Sequence, residues 1–189
     1  AYYPSGFDRT LILSNDGMGE FETGLVCSGN GGKIKILEKG PDYPNSLGLI
    51  YSAITYYLGW KHHCDEGIVM GLAPLGNYNN KIKGKKYIDI FRKIIRHKKN
   101  FNYEINKDWI AYHLKRDVWI SKKFTKIFGK KREYGSKILK KHKDIAAALQ
   151  KRVEEVTIRS LIQLKKKYKY NKLCVAGGVG LNCSLNGKI

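Results

Sequence analysis

The chain has 189 residues, of which 42% are hydrophobic, so it is long enough for one domain with a real core and too apolar for intrinsic disorder. No apolar run approaches the roughly 20 residues of a membrane span, and the opening residues carry no signal-peptide pattern. Four cysteines, Cys27, Cys64, Cys174 and Cys183, show no C-x-x-C spacing, which points to a reducing, cytoplasmic setting. The net charge of +20 raises the expectation of an anionic partner. However, Lys, Asn, Ile and Tyr, all encoded by AT-rich codons, are abundant together. The basic residues scatter over helices and loops without an RNA-binding motif, so the charge reads as compositional and a nucleic-acid partner is not expected. The absence of an initiator Met and the stop just after a candidate binding segment suggest a piece of a longer protein.

In chain order, residues 10–13 form an apolar strand ending in Ser14-Asn15-Asp16-Gly17. A second strand over 23–28, a Gly-rich turn over 29–32 and an alternating third strand over 33–37 make an antiparallel meander. Asp16 sits at its first corner. There Asp-Gly is either a tight hairpin turn or a carboxylate at a strand end that binds a metal, with the backbone of Gly17 and Gly19 approaching a phosphate. Asn45 or Ser46 caps a helix whose apolar face is Leu47, Ile50, Tyr51, Ile54 and Leu58, and Gly59 closes it. Gly48 inside that helix costs about 1 kcal/mol against Ala, so close packing or a ligand should compensate. The cluster over 62–66 has metal-binding composition but not metal-binding spacing. Residues 69–74 read as a glycine-punctuated loop. In the Lys-rich stretch over 77–143, short helices are expected over 87–95 and 119–128 and a strand over 101–105. Asp144 caps a long helix running to about residue 167, whose terminal Lys165-Lys166-Lys167 suits the macrodipole. Leu173-Cys174-Val175-Ala176 is a buried strand that runs into Gly177-Gly178 and a helix start. Cys174 and Cys183 read as buried thiols. Such a strand–Gly-Gly–helix junction is a backbone site for an anionic ligand or a plain connection.

Three ordered segments carry a resemblance: DGMGE over 16–20, SLGLIYSAITYYLGW with EGIVMGLAPLG over 46–76, and GGVGLNCSLNGKI over 177–189, with HKDIAAALQ over 142–150 beside them. They resemble the O-carbamoyltransferases of the nodulation-protein and antibiotic-tailoring type. The resemblance spans nearly the whole chain. It implies an α/β chain, part of an actin–hexokinase-like (ribonuclease H-like) ATPase fold with a mixed sheet flanked by helices. On that reading residues 1–189 are the middle of one catalytic domain: 1–76 its first half, 77–143 a Lys-rich insertion shaping an acceptor pocket, and 144–189 the helix and nucleotide-binding segment.

The implied reaction moves a carbamoyl group, activated as carbamoyl adenylate from carbamoyl phosphate and ATP, onto a hydroxyl of a small-molecule acceptor. The resemblance further implies a divalent metal, iron or magnesium, at Asp16 and phosphate contacts from Gly17 and Gly19. Nucleotide contacts fall to Gly177, Gly178 and Asn182, and Glu66-Gly67 line the cleft. The family's His-x-x-x-His pair, its downstream Asp and its C-terminal adenylate-forming domain do not occur here, so this stretch alone should be inactive. Ile68, Leu75 and Gly180 stand where the family usually has Lys, Tyr and Ala. Threonylcarbamoyl transfer to tRNA and a non-catalytic nucleotide-binding module are the alternatives.

Overall fold

The computed structural model describes residues 1–189. Its main sheet forms from β1 (Arg9–Asn15), β2 (Gly24–Asn30), β3 (Lys33–Lys39) and a last strand from the far end of the chain, Leu173–Ala176. The first three strands run antiparallel, and the last lies parallel to β1 in the order β3-β2-β1-last. The β2–β3 turn is the pair Gly31-Gly32, both at positive φ, as a two-residue hairpin requires. Alternation along β1 splits its side chains between faces. Ile12 pairs with Cys27 and Cys174, and on this row packs Tyr2, held by Asp8 O and Gly32 N on its hydroxyl. Cys174 is therefore buried as expected, whereas Cys183 is exposed, because it begins a short exposed turn after the strand.

The helices are α1 (Leu47–Tyr57), α2 (Glu66–Leu72), α3 (Tyr87–Ile94), α4 (Lys122–Phe128), α5 (Lys140–Tyr168) and α6 (Cys183–Asn186). Short ribbons β4 (Lys81–Ile82) with β5 (Lys85–Lys86), and β6 (Ile95–His97) with β7 (Tyr103–Ile105), precede the last strand, β8 (Leu173–Ala176). The result is a mixed α/β chain in which no helix is long and apolar enough to cross a membrane. It divides into two compact units. One holds Ala1–Leu49, His97–Glu104 and Glu155–Ile189, and the other holds Ile50–Arg96 and Ile105–Glu154.

In the first unit Glu38 ties β3 to the end of α5, accepting from Lys167 Nζ and Tyr168 OH at 2.7 Å each. The second unit is built on aromatics: Phe124 lies 4.9 Å from Tyr57 and 4.4 Å from Phe128, with ring planes offset or edge-on. Burial pushes the Tyr57 phenol far up.

Three local expectations change. Residues 69–74, expected as a loop, fall in the helix Glu66–Leu72 and the 3-10 turn Ala73–Leu75: Val69 and Leu72 bury one face, and their burial outweighs Gly67 and Gly71, which face open space. Helix α4 starts at Lys122, not residue 119, because Ser121 Oγ accepts from Phe124 N at 3.2 Å and sets the cap. Asp144 does not cap α5, which begins four residues earlier. Its buried carboxylate instead accepts from Asn77 N and Asn80 Nδ2, at 2.8 and 2.9 Å, and fastens the preceding loop.

The start of α5 is held by His142, whose Nδ1 accepts from Leu139 N at 3.1 Å. Burial, with Lys141 and Arg132 nearby, lowers its pKa to about 4. The unfolded chain takes up this proton near pH 6.5, and the folded chain near 4. Stability contributed by neutral His142 is therefore present above about pH 6.5 and is lost as pH falls through about 4. His142→Gln keeps an acceptor for Leu139 N without titrating. Its melting temperature should change less between pH 7 and pH 4 than that of the native chain, and parallel profiles would contradict this role.

Gly48 illustrates which of two opposing effects wins. Its helical position favours Ala by about 1 kcal/mol. Yet a Cβ there would lie 2.7 Å from Gly17 N, 2.8 Å from Gly17 Cα and 2.9 Å from Asp16 C, all backbone atoms with little room to move. Close packing is thus the reason for the glycine. Gly48→Ala should destabilise the chain by about 2 kcal/mol in denaturant unfolding, and a more stable variant would refute the contact.

Candidate functional site

Parallel pairing of β1 and β8 puts the ends of both strands at one edge, with Ser14 opposite Ala176. The chain leaves β1 through Asn15 and Asp16 and leaves β8 through Gly177 and Gly178. Gly177 has φ 85°, and a Cβ on it would collide with the Asn15 carbonyl oxygen. A Cβ on Gly178 would lie 3.1 Å from Asp16 Oδ1. Residues 162 positions apart in sequence (177 less 15, 178 less 16) thus adjoin within the first unit.

The Asp16 backbone is fixed from three sides. Its N–H donates to Thr23 O at 3.0 Å, its carbonyl accepts from Ser46 Oγ at 3.0 Å, and the start of α1 packs on it through Gly48. Ser46, fully buried, is the cap of α1, accepting from Leu49 N at 2.9 Å. Thr23 Oγ1 lies 2.7 Å from Pro41 O and 2.8 Å from Asn45 O, so the loop before α1 is bound to the same corner. The tight-hairpin reading of Asp16-Gly17 does not hold. The connection from β1 to β2 runs through residues 16–23, and Gly17 has no positive φ. The Asp16 carboxylate is exposed, and its Oδ1 accepts from Gly17 N at 2.7 Å. Gly19 N donates to Glu22 O at 2.9 Å.

After Gly177 the chain makes one 3-10 turn, Gly178–Leu181, and then α6, rather than one continuous helix. Asn182 is nearly buried, and its Oδ1 caps α6 by accepting from Leu185 N at 2.9 Å. Sequence reasoning passed over Asn15. It is 2% exposed, and neither polar atom of its side chain has a hydrogen-bond partner in the protein. A buried carboxamide of this kind suits a water or a ligand atom. An Asn at a strand end carries no such signal in sequence, since it reads equally as a turn residue.

No group of three or more His, Cys, Asp or Glu side chains is placed to hold a metal. Beside the glycine corner the Asp16 carboxylate is a single exposed oxygen donor, which by itself does not make up the ligand set of a hard cation.

Glu66 and Gly67 lie in the second unit. Glu66 Oε1 accepts from Ser52 Oγ at 2.6 Å and from His63 N at 2.7 Å, pinning the turn before α2. His63 has φ 60°, and Ser52 Oγ lies 3.4 Å from its Nδ1. His62 packs 4.3 Å from Trp119, and burial, reinforced by His63, lowers its pKa.

The family model described as "Carbamoyltransferase N-terminus" matches residues 1–189. The chain is 33% identical to the nodulation protein NolO of Bradyrhizobium diazoefficiens, over all of this chain and 31% of that protein. It is 34% identical to the nodulation protein NolNO of Sinorhizobium fredii, over all of this chain and 25% of that protein. An uncharacterised protein of Synechocystis is 35% identical, over all of this chain and 30% of that protein. The chain thus spans less than a third of the length of these relatives.

Proposed function

The chain belongs to the carbamoyltransferase N-terminus family, and from that membership we propose that it forms part of an enzyme transferring a carbamoyl group to a hydroxyl of a small-molecule acceptor. The nodulation proteins among its relatives support a biosynthetic setting. We read the sheet, in the order β3-β2-β1-β8 with only β8 parallel to β1, as part of an actin–hexokinase-like nucleotide-binding fold. The donor is carbamoyl adenylate, made from carbamoyl phosphate and ATP by an adenylate-forming domain elsewhere in the parent protein, in the cytoplasm.

The observation carrying this reading is the corner where Asp16 meets Gly177-Gly178. Ligands of α/β sheets gather outside the carboxyl ends of strands, and both parallel strands end here. Gly177 and Gly178 let the end of β8 lie close against Asn15 and Asp16, so that a nucleotide at this corner would meet main chain from both strands, and Asn182 holds the turn that follows. Asp16 would hold a divalent cation, which supplies charge neutralisation at phosphate when bound. If the carboxylate turns to a cation, Gly17 N loses its present acceptor and becomes a donor for a phosphate oxygen. In the transfer the acceptor oxygen bonds to the carbamoyl carbon, AMP leaves with the electron pair of the broken C–O bond, and the hydroxyl proton passes to a base.

The experiment is titration of the protein with ATP and Mg2+, in parallel with transfer of labelled carbamoyl phosphate to hydroxyl acceptors by the parent protein. Nucleotide binding that is lost in Gly178→Val, with its melting temperature preserved, is the expected result. Equal affinity in that variant would remove the corner from the site.

A further inference from the structure

The positive charge, read from composition alone as a general property of the chain, is unevenly distributed along it. Residues 1–76 carry five Lys or Arg and eight Asp or Glu, whereas residues 77–143 carry 22 and five. Lys98, Lys99 and Glu104 belong to the first unit, which leaves 20 cations against four acids in these stretches of the second unit. Sixteen of the 20 are exposed, and with Lys61, Lys151 and Arg152 the second unit carries 23 cations against eight acids, the four above with Asp65, Glu66, Asp144 and Glu154.

The ribbon β4–β5 concentrates this charge. Lys81 lies directly opposite Lys86 across it, and Lys83 and Gly84, both at positive φ, make its turn. Like charges facing each other across a ribbon repel. With Lys93 from α3, the lysines Lys81, Lys85 and Lys86 line one open hollow of about 320 Å3, in which Asp89 is the acid. A concave surface with four ammonium groups against one carboxylate focuses positive potential on a counter-charge.

We infer that this face of the second unit binds a nucleic-acid strand through its phosphate backbone. A membrane fits the surface poorly, because the apolar residues of α3, among them Ile90, Phe91 and Ile94, are all buried and none is left to insert. A protein partner fits it poorly too, because the one apolar side chain lining the hollow, Ile90, is 3% exposed and offers no anchor. A polyanion needs only the ammonium groups, their spread and a groove.

The test is fluorescence anisotropy with a single-stranded RNA of about 20 nucleotides at about 100 mM salt. One variant is K81Q/K85Q/K86Q/K93Q. The other, K33Q/K35Q/K165Q/K166Q, removes the same charge from exposed positions of the first unit. The hollow variant should bind at least tenfold more weakly than the native chain. Its slope of log affinity against log salt should be shallower by about 3, near 0.7 per lost contact for a single strand. The control variant should lose no more than about threefold. Equal losses in both variants would show that net charge alone acts, and would overturn the site. Absence of binding by the native chain, or binding to vesicles containing phosphatidylserine but not to RNA, would overturn it as well. Glutamine relieves the Lys–Lys repulsion, so melting temperatures no lower than that of the native chain accompany the expected result.

Discussion

Gly177→Ala should unfold the corner of the sheet. The substitution combines two costs at one position. Its φ of 85° lies where an L side chain is strained by about 1–3 kcal/mol. The new Cβ would also strike the Asn15 carbonyl, with Asn15 C at 2.7 Å and Asn15 N at 3.0 Å behind it. These are backbone atoms of β1, the strand that pairs with both β2 and β8. Relief by side-chain rotation is not available, so the strand pair must separate. A loss of about 3 kcal/mol or more in denaturant unfolding is expected, enough to remove much of the stability of a typical domain. Exchange protection should fall first at Leu11 and Leu13, whose partners across the parallel ladder are Leu173 and Val175. A variant as stable as the native chain would mean that the Gly177 corner is not as close as described, and the adjacency of Asp16 and Gly178 would fall with it.

Asp16→Asn separates the chemical from the structural role of the same corner. Every backbone contact of Asp16 survives it, and Asn Oδ1 can accept from Gly17 N as the carboxylate does. The side chain is exposed, so folding should change by less than about 0.5 kcal/mol. A hard divalent cation, however, loses an anionic oxygen. Affinity for Mg2+ or Fe2+ in the presence of nucleotide should drop at least tenfold, about 1.4 kcal/mol. Carbamoyl transfer by the parent protein should drop at least as far. Metal affinity and turnover equal to the native values would make Asp16 a plain corner residue and withdraw the metal proposal.

Much of the architecture was legible in the residues because local physics decided it. The apolar run at 10–13, the alternation of residues 33–37, the glycine pair at 31–32, the face of Leu47, Ile50, Tyr51, Ile54 and Leu58, and the apolar run at 173–176 each specify an element through their own period or turn chemistry. The ordered segments DGMGE, EGIVMGLAPLG and GGVGLNCSLNGKI likewise pointed to the carboxylate and glycines of the candidate site, and to the family whose model matches the chain.

Where burial competes with a local preference, only the folded chain decides. Gly71 and Pro74 made 69–74 look like a loop, but Val69 and Leu72 find a core and residues 66–72 are helical. Asp144 has the composition of a cap, yet it serves a loop more than 60 residues away, because α5 had already begun. The neighbour of Gly48 is the Asp16-Gly17 peptide, which no helical pattern reveals. The candidate site itself is of this kind. Parallel pairing of β1 with β8 sets Asp16 beside Gly178, and that pairing depends on long-range burial across the sheet, not on any property of either segment alone.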